Sequence, residues 1–282
     1  MTTLRVRVAI VSFRRVDLLM TLLRGLRDQD KNWEICVWDN YSESSDLLRR
    51  TLRTVDLADW THFSSENVGF AQAVNRIAAL PGSWDVLLTV NPDTELVSSL
   101  EPLVSICREK DVAAVGSCSY KSGQPDCSNA YRDVGPFGLA IRAISGRGHE
   151  RLITHSFIGG SRQIEGWIEG SLLAISRKSW SDVGTFDETF FLYSEEQDWQ
   201  RRARLRGWRI VQVTEPLFVH ASKGSVSGDP QLERRSSQLE EQSRRHYIRK
   251  WWGRRGLYMY RAISETGYFA KSALSLSFRN GR

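Results

Sequence analysis

The sequence lacks several patterns that mark common classes of protein. No stretch of 18 or more uninterrupted apolar residues is present, so we expect no membrane-spanning helix. No GxGxxG sequence follows the first apolar stretch, and no GxxxxGK[ST] sequence occurs anywhere. Simple dinucleotide-binding and P-loop nucleotide-binding functions therefore lose their main support.

Cysteine is scarce, and its spacing carries no metal-binding pattern. The four cysteines are Cys36, Cys107, Cys118 and Cys127, and no two of them form a CxxC pair. This spacing argues against a zinc site. We expect reduced core or surface thiols in a cytosolic protein.

The composition is that of a soluble globular protein. Hydrophobic residues make up 41% of the sequence and charged residues 26%. The length of 282 residues suffices for one large domain or a domain and a half. The first residues are mildly basic and then apolar, without a small-residue cleavage site. The alternation of Val6, Val8 and Ile10 predicts a first strand rather than a signal peptide.

Positive charge is concentrated near the C-terminus. Residues 234–282 contain 12 Lys or Arg against three acids, whereas residues 1–233 contain 27 against 30. The body is therefore slightly acidic, and the basic isoelectric point belongs to the C-terminal segment. This asymmetry indicates a polyanionic neighbour, either an anionic membrane surface or nucleic acid.

Apolar periodicity predicts strands and helices in alternation. Short connections between them favour a mostly parallel sheet with helices on both faces. The predicted strands are 5–13, 33–38, 61–64, 86–90, 112–117, 166–176 and 209–213, and the predicted helices are 16–29, 42–53, 70–80, 100–110, 177–183 and a basic helix ending at 206. Residues 119–165 are rich in Gly, Ser and Arg and show little periodicity, so we expect a long loop or an insertion over the site, with disorder as an equal alternative.

The segment Trp84–Leu96 ends a buried strand with a carboxylate. Pro92 cannot donate to a sheet ladder, so the strand must stop there and Asp93 follows its carboxyl end. Ser12 and Asp39 end two other predicted strands, and in an open α/β sheet ligands bind along this edge. Taken alone, Asn91–Thr94 could equally be an ordinary turn.

Several segments, taken in order, resemble the inverting glycosyltransferases of family 2. These segments are VAIVSF, VWDN, ENVGFAQAVN, LLTVNPDTEL, GTFDETFFLYSEEQDWQRRARLRGW and FVH, and they span about residues 5–220. The NPD sequence and the FFLYSEE block are most similar to rhamnosyltransferases of cell-surface polysaccharide synthesis. The resemblance implies a GT-A type nucleotide-diphospho-sugar transferase fold over residues 1–225. Its nucleotide-sugar half would be about 1–118 and its acceptor half about 165–225, followed by a basic, aromatic-rich helical segment at 226–282.

The resemblance also implies a donor site and a divalent cation, Mn²⁺ or Mg²⁺, that neutralises the leaving diphosphate. Asp93 would bind the metal. Asn91 stands where many relatives have the first acid of the motif, so one carboxylate is missing. His220 would be a second metal ligand, although a surface or capping histidine is an equal alternative. Of the remaining donor-binding residues, Ser12 and Phe13 would line the pocket for the nucleotide's base, and Asp39 would accept a hydrogen bond from that base. Asn67 and Gly69 would lie in the loop that contacts the nucleotide.

On the acceptor side, the resemblance implies a carboxylate base that deprotonates the attacking hydroxyl. We assign this role to Glu196, at the start of a helix whose positive end suits its charge. Relatives commonly have Asp here. Glu195 and Asp198 remain rivals, and both could instead be helix-capping residues. The acceptor would contact the following residues: Trp167, Glu169, Gly170, Glu195, Asp198 and Trp199.

Together with the residues above, the resemblance implies a cytoplasmic, metal-dependent sugar transferase. Its donor would be a nucleotide-diphosphate sugar such as dTDP-rhamnose, and its acceptor a saccharide or a lipid-linked saccharide. Residues 244–271 interleave cations with aromatics, which is typical of an interfacial helix on the inner face of an anionic membrane. A helix packed on the catalytic domain is the alternative. A non-catalytic nucleotide-sugar or glycan-binding protein with a degraded metal site also remains open, and no nucleic-acid partner is expected.

Overall fold

A computed structural model describes residues 4–14, 16–41, 45–55, 57–145, 160–220 and 228–279. The predicted start of the second helix at Ser42 and the predicted domain boundary at 225/226 lie outside these ranges.

The first half of the chain alternates strands and helices as predicted. The strands Val6–Ser12 and Val86–Val90 are largely apolar and buried along their length, and the helix Val16–Gln29 turns most of its leucines into the core. The elements are β1 (Val6–Ser12), α1 (Val16–Gln29), β2 (Glu34–Asp39), α2 (Ser45–Val55), β3 (Trp60–Phe63), α3 (Phe70–Ala78), β4 (Val86–Val90), β5 (Thr94–Leu96) and α4 (Glu101–Ile106).

The second half contains more structure than its sequence suggests. The region 119–165, predicted as a loop, contains β7, β8, α5 and β9 within its described part. The elements are β6 (Val112–Lys121), β7 (Gln124–Asp126), β8 (Ala130–Arg132), α5 (Pro136–Ser145), β9 (Ser161–Gln163), β10 (Gly166–Ile168), β11 (Leu172–Ser176), α6 (Arg177–Val183), α7 (Glu195–Leu205), β12 (Arg209–His220) and α8 (Pro230–Arg279).

The central sheet has the order β3-β2-β1-β4-β11-β6-β12-β5, with β7 paired to β6 and β9 paired to β12. Strands β1, β2, β3, β4, β6 and β12 all run in one direction, and β11 lies antiparallel between β4 and β6. The predicted mostly parallel sheet is confirmed. The predicted single strand 166–176 is wrong, because residues 169–171 turn the chain and separate β10, which pairs with β8 in a small second sheet, from β11.

The expectation of four reduced cysteines is also wrong. Strands β6 and β7 form an antiparallel hairpin in which Ser119 faces Asp126, so Cys118 and Cys127 occupy the next facing positions. They form a disulfide with Cα atoms 4.4 Å apart. Their separation of nine residues carries no sequence signature of this pairing. Cys36 and Cys107 are free and buried.

Helix α8 packs against the rest of the chain through its aromatic residues. Tyr247 and Tyr260 are almost fully buried in a cluster with Leu139 of α5 and Phe190, and Trp251 packs against this cluster. Gly253 has non-helical backbone angles and divides α8 into two parts. Across the described ranges, no helix has the length and apolar content needed to cross a bilayer.

Candidate active site

A cavity of about 460 Å³ opens at the carboxyl edge of the central sheet. Walls are contributed by the loop before α3, the N-terminus of α7, α5 and the first part of α8. Eleven of the predicted site residues line it: Phe13, Asn67, Gly69, Asn91, Asp93, Trp167, Glu169, Gly170, Glu195, Glu196 and His220.

Asn40 organises the loop before α3. Its side-chain amide donates to Asn67 Oδ1 at 2.8 Å and to the Gly69 carbonyl at 3.2 Å, and its Oδ1 accepts from the Val68 amide at 2.9 Å. Gly69 has φ 83°, a conformation that glycine adopts without strain, and a Cβ there would collide with the Phe191 carbonyl oxygen. The loop is therefore held rigidly beside the segment that precedes α7.

Ser12 and Asp39 lie one position short of the cavity. They face each other at the ends of β1 and β2 and are almost fully buried. Phe13 and Asn40, the next residue after each of them, line the cavity instead, as does Val11. Ser12 therefore does not line the cavity, because its neighbours Val11 and Phe13 do and successive residues of a strand alternate in direction, and Asp39 lies beside it under the cavity wall.

Asp93 and His220 come together across neighbouring strands. The pairing of β5 with β12 sets Thr94 opposite His220, and His220 Nε2 lies 3.1 Å from Asp93 Oδ1. Burial lowers the pKa of His220, but the hydrogen bond and charge of Asp93, with the charge of Glu169, raise it more, so the net pKa is above its ordinary value. The two predicted metal ligands thus share one corner of the cavity.

The donor atoms in this corner suit a hard or borderline divalent cation. Asp93 offers carboxylate oxygen and His220 offers imidazole nitrogen, a pair that fits Mn²⁺. The described part of the chain contains no cluster of three or more His, Cys, Asp or Glu that could hold a metal. A cation held by Asp93 and His220 would therefore have to complete its coordination from the substrate or solvent.

Glu195 and Glu196 form the first turn of α7 and face the same cavity. One carboxylate oxygen of each, Oε2, is buried without a hydrogen-bond partner among the described residues. Burial, and the charge of Glu196, raise the pKa of Glu195 well above its ordinary value. Burial also raises the pKa of Glu196, to about 7, against the opposing effect of backbone amides that include Gly170. Glu196 can therefore exchange a proton near neutral pH.

Trp167 of β10 and the Glu169–Gly170 turn that follows it form another part of the cavity wall. Trp167 stacks on Tyr131 with ring centroids 4.5 Å apart, and the Tyr131 hydroxyl donates to the Glu169 carboxylate. The guanidinium of Arg142 lies over the Tyr131 ring. Burial raises the pKa of Glu169 although Tyr131 opposes the shift. An aromatic face beside polar groups is a surface on which a sugar ring can lie.

Asp198 and Trp199 do not line the cavity. Trp199 is fully buried against Trp180 and donates through Nε1 to the Gly184 carbonyl at 2.7 Å. Asp198 is fully buried, where it pairs with Arg202 at 2.9 Å and with Lys250 at 2.8 Å. The expected acceptor contact of these two residues is corrected, because on α7 both point into the core, away from Glu196.

The cavity also contains residues that the sequence does not predict to be there. Asn40 belongs to the VWDN segment, and Arg142 lies on α5, within the region predicted as a loop or an insertion. Tyr193 and the α8 residues Arg235 and Ser236 also line the cavity. The signal available for α8 was its content of apolar and aromatic residues at helical spacing, which fitted packing on the body as well as membrane contact.

Comparison with known proteins supports a glycosyltransferase relationship. No family model matches the chain. Two curated relatives from Mycobacterium tuberculosis, strains CDC 1551 / Oshkosh and ATCC 25618 / H37Rv, are both named N-acetylglucosaminyl-diphospho-decaprenol L-rhamnosyltransferase. Each is 32% identical over an alignment of 187 residues, and the match covers 58% of this chain and 59% of the relative. The match therefore spans less than two thirds of the relatives' length, and the predicted similarity to rhamnosyltransferases is confirmed over that part.

Solved structures with low sequence identity share the fold. GalNAc-T7 with UDP, GalNAc and Mn²⁺ aligns with a TM-score of 0.59 and 16% identity, over 78% of this chain and 44% of that protein. The mannosyltransferase PcManGT from Pyrobaculum calidifontis, in complex with GDP-Man and Mn²⁺, aligns with a TM-score of 0.53 and 15% identity, over 99% of this chain and 81% of that protein. The predicted GT-A fold is confirmed.

Proposed function

We propose that the protein is an inverting glycosyltransferase, which moves a sugar from a nucleoside-diphosphate donor to a hydroxyl group of a saccharide acceptor. One observation carries the proposal. The Glu195–Glu196 carboxyls, the Asp93–His220 pair and the Asn40–Gly69 loop line the same cavity of a GT-A fold. A base, a diphosphate-binding corner and a nucleotide loop are what the reaction requires within reach of one sugar.

Glu196 is the proposed base. The acceptor oxygen forms a bond to the anomeric carbon while the bond from that carbon to the diphosphate oxygen breaks. The diphosphate leaves with the electron pair, and the acceptor proton passes to the Glu196 carboxylate. A base with a pKa of about 7 is half deprotonated at neutral pH and can still accept the proton as it is released. Attack from the face opposite the leaving group inverts the anomeric centre.

Asp93 and His220 would hold Mn²⁺ or Mg²⁺ at the diphosphate. A divalent cation there supplies positive charge that stabilises the leaving diphosphate. The two side chains approach to 3.1 Å and offer oxygen and nitrogen, which suits this cation. Asn91 brings only a neutral amide to the same wall, so the protein supplies one negative charge to the metal instead of two.

The relatives suggest the donor and the acceptor. Their name describes rhamnosyl transfer to N-acetylglucosaminyl-diphospho-decaprenol, a lipid-linked saccharide. We propose dTDP-rhamnose as the donor and a lipid-linked saccharide as the acceptor, in the synthesis of a cell-wall polysaccharide. Trp167, held by its stacking on Tyr131, would contact the acceptor sugar, with the Glu169 carboxylate beside it.

A lipid-linked acceptor would require contact with a membrane. Within residues 244–271, Tyr247 and Tyr260 are buried, so the contact surface we propose is narrower than that whole segment. It consists of exposed residues of α5 and of α8 beyond Gly253, which we call the α5–α8 surface: Phe137, Ile141, Arg254, Arg255, Tyr258, Met259 and Arg261. Exposed cations among apolar side chains suit an anionic bilayer. Both helices also line the cavity, so an acceptor held there would lie close to that bilayer.

Replacement of the base tests the proposed function. We expect Glu196→Gln to lower kcat by about 10²–10⁴-fold and to leave binding of dTDP-rhamnose nearly unchanged, because only the proton acceptor is lost. Transfer would be measured as dTDP release with dTDP-rhamnose and a GlcNAc-diphospho-polyprenol, and NMR of the product would report the anomeric configuration. Glu101→Gln, at the exposed start of α4, is the matched control. A wild-type protein that binds the donor but transfers nothing would instead indicate a non-catalytic binding protein.

A further inference from the structure

The turn that precedes the proposed base has an unfavourable backbone conformation. Tyr193 and Ser194 have φ values of 71° and 69°, and both are non-glycine residues in the left-handed region. They directly precede Glu195, and Ser194 makes no side-chain capping hydrogen bond to α7. Such a conformation persists only where surrounding contacts impose it, and such positions cluster at functional sites.

Two buried serines of α8 hold this turn. The hydroxyls of Tyr193 and Ser236 are 2.6 Å apart, and Ser243 Oγ donates to the Leu192 carbonyl at 2.7 Å. Both serines are nearly fully buried, and they lie seven residues apart, which is two helical turns on one face of α8. The left-handed turn is therefore fixed at two consecutive residues by one face of one helix.

The same face of α8 also secures α7 beyond the base. Trp251 Nε1 donates to Asp198 at 2.9 Å, and Lys250 pairs with the same carboxylate at 2.8 Å. Ser243 lies outside the cavity lining. It can therefore influence a reaction in the cavity only through the backbone that it holds.

We propose that Ser236 and Ser243 are positioning residues, which set the orientation of Glu196 by holding the left-handed turn at Leu192–Ser194. This inference rests on the proposed function, in which Glu196 is the base. On this view α8 is part of the catalytic apparatus, and the reaction depends on a helix that begins after the last segment that resembles the glycosyltransferase family.

Kinetics of hydroxyl deletions test the proposal. We expect Ser243→Ala and Ser236→Ala each to lower kcat about tenfold, with the KM for dTDP-rhamnose changed less than about twofold, because misplacing a base affects the chemical step more than donor binding. Ser237→Ala is the matched control. Its hydroxyl is exposed and bonds within α8 to the Glu233 carbonyl, so wild-type kinetics are expected.

A double-mutant cycle isolates the contact at Ser236. If the Tyr193–Ser236 hydrogen bond is responsible, Tyr193→Phe with Ser236→Ala will be no slower than the slower single variant. Losses that multiply would overturn this contact as the cause. Tyr193→Phe keeps the aromatic ring, so it also supplies the measurement if an alanine variant fails to fold by circular dichroism.

A measurement that does not depend on sugar transfer tests the positioning role separately from the proposed function. A carbon-13 NMR titration of the Glu196 carboxyl should give a pKa near 7 in the wild-type protein and a lower pKa in Ser243→Ala, because a loosened turn admits water to the carboxylate. This shift is expected even if no transfer is detected, in which case only the proposed function fails. Equal Glu196 pKa values in wild type, Ser243→Ala and Ser237→Ala, with equal kcat, would refute the positioning role.

Discussion

Glu195 is buried beside a second carboxyl at the start of α7, and this placement costs stability. Its pKa in the folded protein lies well above the value near 4.3 of an unfolded chain. The folded state therefore binds more protons than the unfolded state between these two pKa values, and its stability falls as the pH rises through that window. The cost in stability arises because two adjacent carboxyl groups are buried together beside one cavity.

Removal of the Glu195 charge should relieve this pH-dependent cost. We expect Glu195→Gln to raise the Tm by about 2 °C or more relative to wild type at pH 8, and by much less at about pH 3, where the wild-type carboxyl is protonated in both the folded and the unfolded state. Thermal unfolding followed by circular dichroism at the two pH values measures the difference. Glu101→Gln, at an exposed site, should show no such pH dependence. An equal shift at both pH values would contradict the assignment.

Asn91 sets the charge of the metal corner. An added carboxylate there should bind a divalent cation more tightly, so Asn91→Asp should lower the Mn²⁺ concentration for half-maximal activity about tenfold or more. A Mn²⁺ titration of dTDP release measures the change. Gln124→Glu, an exposed substitution that adds the same charge, is the control. A half-maximal Mn²⁺ concentration that does not move in Asn91→Asp would show that Asn91 does not face the metal.

At the scale of elements, local sequence patterns predicted the first half of the fold well. Strand β4 and helix α1 appear as predicted, because each carries its own periodicity and a clear stop signal such as Pro92. Helix α5 was missed, since the glycines and arginines around it obscure its short apolar face. β10 and β11 merged in the prediction because nothing in GWIEGSLLAIS marks a turn strongly.

The candidate site was predictable where a strand end or the family resemblance marks a residue. Asp93 follows from the end of a strand, Glu196 and His220 follow from the resemblance to family 2 glycosyltransferases, and all three line the cavity. The wall formed by α8 could not be predicted, because no local pattern tells which surface a distant helix covers. Ser236 and Ser243 look like ordinary helical serines, and their contacts to Tyr193 and Leu192 exist only in the tertiary structure.

The two parts of α8 should separate in function at Gly253. Residues before it contact the turn and α7, whereas Arg254, Arg255 and Arg261 beyond it are exposed. We expect Glu at all three positions to weaken binding to phosphatidylserine vesicles about 100-fold, since each cation near such a surface contributes roughly 1 kcal/mol. Sedimentation with vesicles measures the binding.

The matched control is a triple variant in the N-terminal half of the sequence. It replaces three exposed arginines with Glu and so changes the net charge by the same amount: Arg24, Arg49 and Arg50. Equal weakening by the two triple variants would indicate binding through net charge alone. Wild-type protein that stays unbound on phosphatidylserine vesicles would refute the membrane contact.

At the scale of the whole molecule, the cavity joins parts of the chain that are far apart in sequence. Residues from β1 to α8 line it, so a bound donor must tie the sheet edge, α7 and α8 together. A ligand that binds only the folded protein stabilises it by about 2.7 kcal/mol at a concentration 100 times its Kd. We therefore expect dTDP with Mn²⁺ to raise the Tm by about 5–10 °C.

Removal of the cation or of its ligand tests whether this stabilisation arises at the Asp93–His220 pair. EDTA should abolish most of the dTDP-dependent rise in Tm, and Asp93→Asn should do the same at equal Mn²⁺, because both remove the cation that offsets the diphosphate charge. Asp85→Asn, an exposed change at the other end of β4, should keep the full shift. UDP and GDP, tested in parallel, report the preferred base. If no nucleoside diphosphate with Mn²⁺ or Mg²⁺ raises the Tm, the cavity does not bind a nucleotide sugar, and the proposed function fails at its first step.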